Sequence, residues 1–405
     1  MTSAIGSAPK RRDAGSPFEV LRVFTRLGLT SFGGPVAHLG YFRNALVVER
    51  GWLDERAFGD LVALCQFLPG PASSQVGFAI GLMRAGYFGA LAAWAGFTLP
   101  SAIAMTLVAY GAGALHGPAG EGLLHGLKLV AVAIVAQAVL GMVRSLAPDR
   151  PRATIAILAL ILTAFAPGGI SQIGAIVAGG VLGLVFCPQG AEAAAGGAAE
   201  TPVSRRMAVV FLIAFFALLA LSLLPAREGA LAFLAAIYRS GALVFGGGHV
   251  VLPLLRAAVV EPGFVSDSAF LAGYGAAQAM PGPLFTFGAY LGAVAPAPGG
   301  ALGAALALIA IFAPGMLILL GALPFWHALR ARAGARAAMA GVNAAVVGLL
   351  ASALYDPVWT SAVLGSADFA VAAAGFAALV VWRAPPLAVV VLTAAAGVAL
   401  GVAGG

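Results

Sequence analysis

Along this chain, apolar runs long enough to cross a bilayer alternate with short joints that are polar or rich in helix breakers. The runs at 86–110, 207–224 and 301–323 reach the ~20 residues a helix needs to span the hydrocarbon layer. Hydropathy and breakers together predict about 13 transmembrane segments. Six lie near 18–40, 57–81, 86–110, 122–146, 152–167 and 170–187. One stands alone at 207–224, after a polar, Ala/Gly-rich linker at 189–206. Six more lie near 230–250, 268–292, 300–323, 337–355, 367–382 and 386–402. The expected organisation is a tail over 1–17, an N-terminal half over 18–187, a linker with a connecting helix over 188–228, and a C-terminal half over 229–405.

Composition agrees with that pattern. Of 405 residues, 61% are hydrophobic and 9% are charged, with a mean hydropathy of +1.01. A soluble domain carries about 25% charged residues, so there are too few here to cover a wet surface. The fold class is an all-α polytopic membrane protein, its partner the lipid bilayer. The net charge of +7 is scattered over segment ends and forms no stripe, which argues against a nucleic-acid partner. The N-terminal MTSAIGSAPKRRDAGSP is small, polar and basic and reads as a cytoplasmic tail, not as a signal peptide. Cys65 and Cys187 lack metal-ligand spacing and read as small buried residues. No metal or cofactor is expected, and a homo-oligomer stays open.

With the N-terminus inside, Lys10, Arg11, Arg12, Arg84, Arg144, Arg150, Arg152, Arg205, Arg206, Arg256, Arg330, Arg332, Arg336 and Arg383 fall on the cytoplasmic side. Arg43, Arg50, Arg56 and Arg227 fall outside, and the positive-inside rule favours this assignment. Loop 41–56 holds three of the four exceptions, so either that stretch is an amphipathic segment at the interface or the first segment turns back without crossing. The C-terminus is expected to be periplasmic.

The two halves carry the same landmarks in the same order. SFGGP at 31–35 matches VFGGG at 244–248, Phe58 matches Phe270, QFLPGP at 66–71 matches QAMPGP at 278–283, and LPS at 99–101 matches APG at 313–315. The offset drifts only from 212 to 214. An odd number of segments separates the copies, which predicts an inverted-topology repeat with a substrate site near the midplane.

Pro-Gly-Pro breaks a helix by removing donors and relaxing the turn. In hydrocarbon such a break persists when it is buried in protein or lines a wet cavity. The half-helices beginning after Pro71 and Pro283 aim free N–H groups at the gap, and helix N-termini favour anions. Gly33, Gly34, Gly246 and Gly247 offer a second pair of close backbone approaches, with Gly70 and Gly282 at the breaks themselves. Pro35, Pro69, Pro71, Pro281 and Pro283 are the helix-breaking positions. Packing kinks without a ligand are the competing explanation of any single break. Gln66 and Gln278, three residues before each Pro-Gly-Pro, either bind a ligand or satisfy carbonyls freed by the break.

Cations inside segments set the sign of the ligand. Arg22 and Arg26 share a helix face, Arg239 lies in the equivalent segment of the second half, and Lys128 sits in a long apolar run, with Asn343 in the matching place. Snorkelling to the interface is the alternative for Lys128, and snorkelling or lipid-phosphate contact for Arg22 and Arg26. Ser73, Ser74 and Gln75 after the first break, and Thr286 after the second, could bind oxygen atoms or back-bond their own helices. Asp60, His38 and His249 are candidates for carrying a coupled proton or charge, weighed against ordinary satisfied side chains. Glu19, Glu49, Asp54, Glu55, Glu261 and Asp267 read as interface charges, and Asp356 and Asp368 as solvated ones. The residues alone describe a site for an oxyanion, without saying which one.

FGGPVAHLGYFR followed by QFLPGPASSQVGFAIG, and later FGGGHVVLPLL with QAMPGP, resemble the chromate ion transporter family in its long two-domain form, over most of the chain. The resemblance implies an inner-membrane secondary carrier that exports chromate, a sulfate-like dianion, using the proton-motive force, and so confers chromate resistance. It carries the family motif onto Phe32, Gly33, Gly34, Pro35, Gln66, Pro69, Gly70 and Pro71, and onto Phe245, Gly246, Gly247, Gly248, Gln278, Pro281, Gly282 and Pro283. Gly248 stands where the first copy has proline, so the two sites need not be equivalent. An oxyanion channel and an intramembrane enzyme are the competing classes. Against the enzyme, the chain has no paired carboxylates at helical spacing, no His-rich cluster and no GxSxG nucleophile, and the lack of a P-loop argues against direct ATP drive.

Overall fold

In a computed structural model of the chain, residues 15–32, 34–112, 117–166, 169–187, 202–224, 229–245, 251–326, 328 and 332–404 are described. Among them there are helices and joints and no strands. Five helical stretches are long and apolar enough to cross a membrane: Ala72–Gly111, Ala119–Leu146, Arg205–Leu223, Gly300–Phe325 and Ala333–Ala362.

The N-terminal half opens with α1 (Pro17–Thr30), α2 (Gly34–Phe42) and a π-helical turn at Arg43–Val48. Next come α3 (Glu55–Phe67), α4 (Ala72–Ala112), α5 (Gly117–Leu146), α6 (Arg150–Phe165) and α7 (Gly169–Phe186). Helix α8 (Arg205–Leu223) connects to the C-terminal half. That half holds α9 (Gly229–Ala242), α10 (Val251–Val259), α11 (Asp267–Ala279), α12 (Phe287–Val294) and α13 (Gly300–Ala322). It ends with α14 (Ala333–Ala353), α15 (Ser366–Val380) and α16 (Pro386–Gly404).

Side-chain caps fix several starts. Ser16 accepts from the Glu19 amide, Asp54 from Ala57, Asp149 from Arg152 and Ser266 from Ala269, each taking up an amide that the helix leaves unbonded. Pro17 sits at the start of α1, where its missing N–H costs nothing.

The expected first segment over 18–40 is two helices, because the FGGP stretch interrupts it. Their outer ends return to one place. The Gly15 amide donates to the Arg84 carbonyl at 3.1 Å, Arg84 pairs with Glu19 at 3.2 Å, and the same guanidinium lies 5.3 Å from the centre of the Trp52 ring. Helix α1, 14 residues long, rises only ~21 Å, short of the ~30 Å hydrocarbon layer.

A second fold-back follows it. Helix α4 is two helices joined at a sharp turn, with Ala85 at φ −144° and Gly86 at φ 64°. Across that turn Gly81 and Gly89 approach backbone to backbone, leaving no room for a Cβ. The leg 72–84 therefore runs back from the Pro-Gly-Pro joint to Arg84, beside Trp52 near the start of α3. The remainder, 87–112, is the expected third segment.

The C-terminal half repeats these moves. Tyr290 Oη donates to the Ala269 carbonyl at 3.0 Å, tying the end of α12 to the start of α11. The rings of Phe233 and Phe264 meet at 5.6 Å, bringing the start of α9 near the joint before α11. Gly292 packs on Gly303 as Gly81 does on Gly89. Helix α10 lies outside every expected segment.

The halves interleave. Helix α5 packs along α16 through Gly122, Gly126 and Gly397, while α14 packs along α7 through Gly179, Gly183 and Gly341. The last helix of each half thus lies against a long helix of the other, α7 against α14 and α16 against α5. Small residues allow such approaches, from which bilayer helices gain their packing energy.

Candidate functional site

The first Pro-Gly-Pro joint, after α3, places Gly70 at φ 121°, and the second, after α11, places Gly282 at φ 90°. Only glycine adopts such angles without strain. Each joint is then held by the opposite half. The Gly70 amide donates to the carbonyl of Val244 at 2.7 Å, and the Gly282 amide donates to the carbonyl of Ser31 at 2.9 Å. Ser31 and Val244 are the residues just before Phe32 and Phe245, so the residue that precedes each FGG motif meets the other half's break. A Cβ on Gly70 would lie 2.9 Å from Gly315 Cα, and one on Gly282 would lie 2.9 Å from Ser101 Oγ. Ser101 and Gly315 are again matched positions, following Pro100 and Pro314.

Beyond the first joint the helix restarts with Ser73, Ser74 and Gln75 buried. His38, 1% exposed on α2, sits with Nδ1 3.4 Å from Ser73 Oγ and with its ring edge-on to Phe97 at 5.2 Å. The carboxamide of Gln75 folds over the break, its Nε2 donating to the Pro69 carbonyl at 3.0 Å and to the Gly315 carbonyl at 2.8 Å. Among the described residues, five buried polar atoms around the joints have no partner: Gln278 Nε2 of the C-terminal half, and Ser31 Oγ, Ser74 Oγ, Gln75 Oε1 and Thr98 Oγ1 of the N-terminal half. The matched positions of the C-terminal half are Val244, Thr286, Phe287 and Phe312, and the Thr286 hydroxyl is committed to the Pro283 carbonyl at 2.8 Å.

At the second joint a cavity of about 60 Å³ is lined by Gly34, Gln137, Gln278, Met280 and Gly282 among others. Gln278 is half-buried, faces the Tyr274 hydroxyl and keeps Nε2 without a partner. Pro71 and Pro283 are buried, whereas Pro35, Pro69 and Pro281 are half-buried.

Other expected residues lie elsewhere. Gln66 is exposed at the end of α3, so the buried glutamine of the first break is Gln75, nine positions on. Arg22 and Arg26 are exposed, opposite the Val20, Phe24 and Leu27 side by which α1 packs. Arg239 donates to the Ser222 carbonyl at 3.0 Å and so caps the end of α8. Lys128 is half-buried on α5, near Asp267. Asn343, on α14, is half-buried with Oδ1 unpartnered. Asp60 is half-buried on α3. Gly33, Gly246, Gly247 and His249 lie outside the described residues.

One expectation is corrected: Asp368 is not solvated. It is 9% exposed, with Oδ1 2.7 Å from His125 Nε2 and Oδ2 accepting from the Leu364 and Gly365 amides. The sequence showed a helix-start aspartate and could not show the histidine 243 positions away that covers it.

The Chromate transporter family model matches residues 18–184 and again residues 231–398. The chromate transport protein of Pseudomonas aeruginosa is 29% identical over 388 residues, covering 93% of this chain and 90% of that protein. That of Cupriavidus metallidurans is 24% identical over 345 residues, covering 83% and 81%. A transporter of Methanocaldococcus jannaschii with no assigned substrate is 26% identical over 329 residues, covering 79% of each. No solved structure matches the chain.

Proposed function

This chain belongs to the chromate transporter family, and on that premise we propose that it carries chromate, or a tetrahedral oxyanion of the same kind, out of the cell as a secondary carrier. The observation that supports the reading most is the reciprocal pair of hydrogen bonds, Gly70 to Val244 and Gly282 to Ser31. Two breaks, each held by the other half at matched positions, support a site that both halves share. Amides left free at a restart stabilise an anion, and the cost of desolvating it is met by fixed dipoles instead of water.

The halves 18–187 and 229–405 are read as inverted copies. Helices α1 with α2, and α3 with the leg 72–84, are two re-entrant hairpins, and α9 to α12 form two more. Nine helices then cross: the stretch 87–112, α5, α6, α7, α8, α13, α14, α15 and α16. Four crossings in the first half plus α8 precede the second half, an odd number, so the inversion follows. This placement returns Arg43, Arg50 and Arg56 to the cytoplasmic side, where the positive-inside rule wants them, and moves Arg256 out. The N-terminus is cytoplasmic and the C-terminus periplasmic, in the inner membrane, and export of this kind confers chromate resistance. Coupling to the proton gradient runs through a titratable group beside the site, and the buried position of His38 against Ser73 supports it in that role.

Uptake of labelled chromate into inverted vesicles tests the reading. Saturable uptake that an uncoupler abolishes is expected. Chromate currents that rise linearly with voltage and ignore the uncoupler would make the protein a channel instead.

A further inference from the structure

We propose that the chain holds one oxyanion site instead of two equivalent ones, and that this site selects a monoprotonated oxyanion whose O–H is donated to Gln75 Oε1. The proposal rests on the transport reading above and deepens it.

The argument starts from the Gln75 amide. Its side chain is fully buried, and both of its N–H bonds are spent, on the carbonyls of Pro69 and Gly315. Two carbonyl partners can be met only by the NH₂ end, so the orientation of the amide is fixed by its surroundings. Oε1 is left as a buried acceptor without a donor. An unpaired buried acceptor is costly, and a fully deprotonated oxyanion cannot relieve it, because that ion brings acceptors only. An oxyanion carrying one proton brings the missing donor.

Donors for the remaining oxygens lie beside it. The first helical bond of the leg 72–84 runs from the Gln75 amide to the Pro71 carbonyl at 2.9 Å. The amides of Ala72, Ser73 and Ser74 therefore have no helical acceptor, and they sit at the positive end of the leg. The Ser74 hydroxyl, 3% exposed, is unpartnered as well.

The second half offers no equivalent acceptor among the described residues: its unpartnered atom at the joint, Gln278 Nε2, is a donor. Phe285, Phe287 and Phe312 occupy the places of Ser73, Gln75 and Thr98 and are at most 1% exposed, with the Phe285 and Phe312 rings 5.7 Å apart. Rings fill there the volume that the first half lines with polar atoms.

This acceptor separates oxyanions that charge and shape alone do not. Chromate takes up one proton near neutral pH, whereas sulfate stays a dianion, and a site built to accept a hydrogen bond discriminates against a ligand that cannot give one. His38 is the titratable side chain against the start of this leg, through Ser73, while at its far end Arg84 pairs with Glu19. Helix α13 presents Phe312 and Gly315 to it, and the segment after α9 presents Val244, none of which titrates. The ligand and His38 are thus the two groups whose protonation the experiment must tell apart.

Equilibrium binding of sodium chromate to the purified full-length protein, from mildly acidic to mildly alkaline pH, decides it. Affinity for total chromate is expected to follow the hydrogen-chromate fraction, with sodium sulfate competing about tenfold more weakly or worse at neutral pH, the value of one hydrogen bond to a buried acceptor. Gln75→Met is expected to flatten the pH profile and remove the discrimination. His38→Gln is expected to keep the midpoint, whatever it does to the rate of transport. Should Gln75→Met fail to fold, the wild-type pH series and the sulfate competition still decide. Chromate binding that is independent of pH, sulfate binding of equal strength, or a midpoint that shifts in His38→Gln would each overturn the proposal while leaving oxyanion transport standing. Binding of neither anion would bring down both.

Discussion

At the scale of single residues, the two break glycines carry most of the geometry. Gly70 holds a φ of 121° and has Gly315 Cα 2.9 Å from where a Cβ would stand. Gly70→Leu therefore meets backbone strain of about 1–3 kcal/mol and a clash with backbone, not with a side chain that can swing away. Loss of chromate uptake with membrane insertion preserved is expected, measured in inverted vesicles; an inserted, fully active variant would make the break a mere kink. The Pro-Gly-Pro signal was readable because the chemistry of the break is local. Which glutamine serves it was not. Gln66 occupies the recurring place before the break yet is exposed, while Gln75 is buried by contact with Gly315, 240 positions away. Arg22 and Arg26 show the same limit: helical spacing puts them on one face, and packing decides that α1 buries the opposite one.

Among the elements, the short ones matter most. Hydropathy sees an apolar run and cannot tell whether a chain crosses or turns back, since both bury the same residues in hydrocarbon. The difference lies in where the ends meet, here Gly15, Glu19 and Trp52 around Arg84. Longer helices are joined by specific polar contacts as well as by glycine faces. Asp368 holds the start of α15 through two amides and ties it to α5 through His125, so the carboxylate serves both a cap and a bridge between halves. Asp368→Asn should lower the thermal unfolding midpoint of the purified protein, by the equivalent of about 1–2 kcal/mol for a half-screened, charge-assisted contact. Its chromate affinity should stay at the wild-type value, because the pair lies away from both breaks.

The whole molecule adds topology. With the first hairpin re-entrant, Arg50 faces the same side as Arg144. In a protein whose Cys65 and Cys187 are replaced by serine, Arg50→Cys and Arg144→Cys should react with a membrane-impermeant thiol reagent from the cytoplasmic side only, and Glu261→Cys from the opposite side only. Labelling of Arg50→Cys from outside would mean that the first helix crosses. The exchanged contacts of α5 with α16 and of α7 with α14 give a further reason for two covalently joined halves: each completes the other's packing, and each break is held by a carbonyl of the other, Val244 or Ser31.

The amino-acid sequence by itself determined the helical membrane class, the two sets of landmarks and the positions of both breaks, because hydropathy, proline and glycine act over a few residues. Only the tertiary structure decided which polar groups face those breaks, which helices turn back, and that the matched place in the second half is filled by phenylalanine rings. Those outcomes depend on contacts between residues some 200 to 240 positions apart, and pairings at that distance are selected by packing and by the need to satisfy buried polar groups.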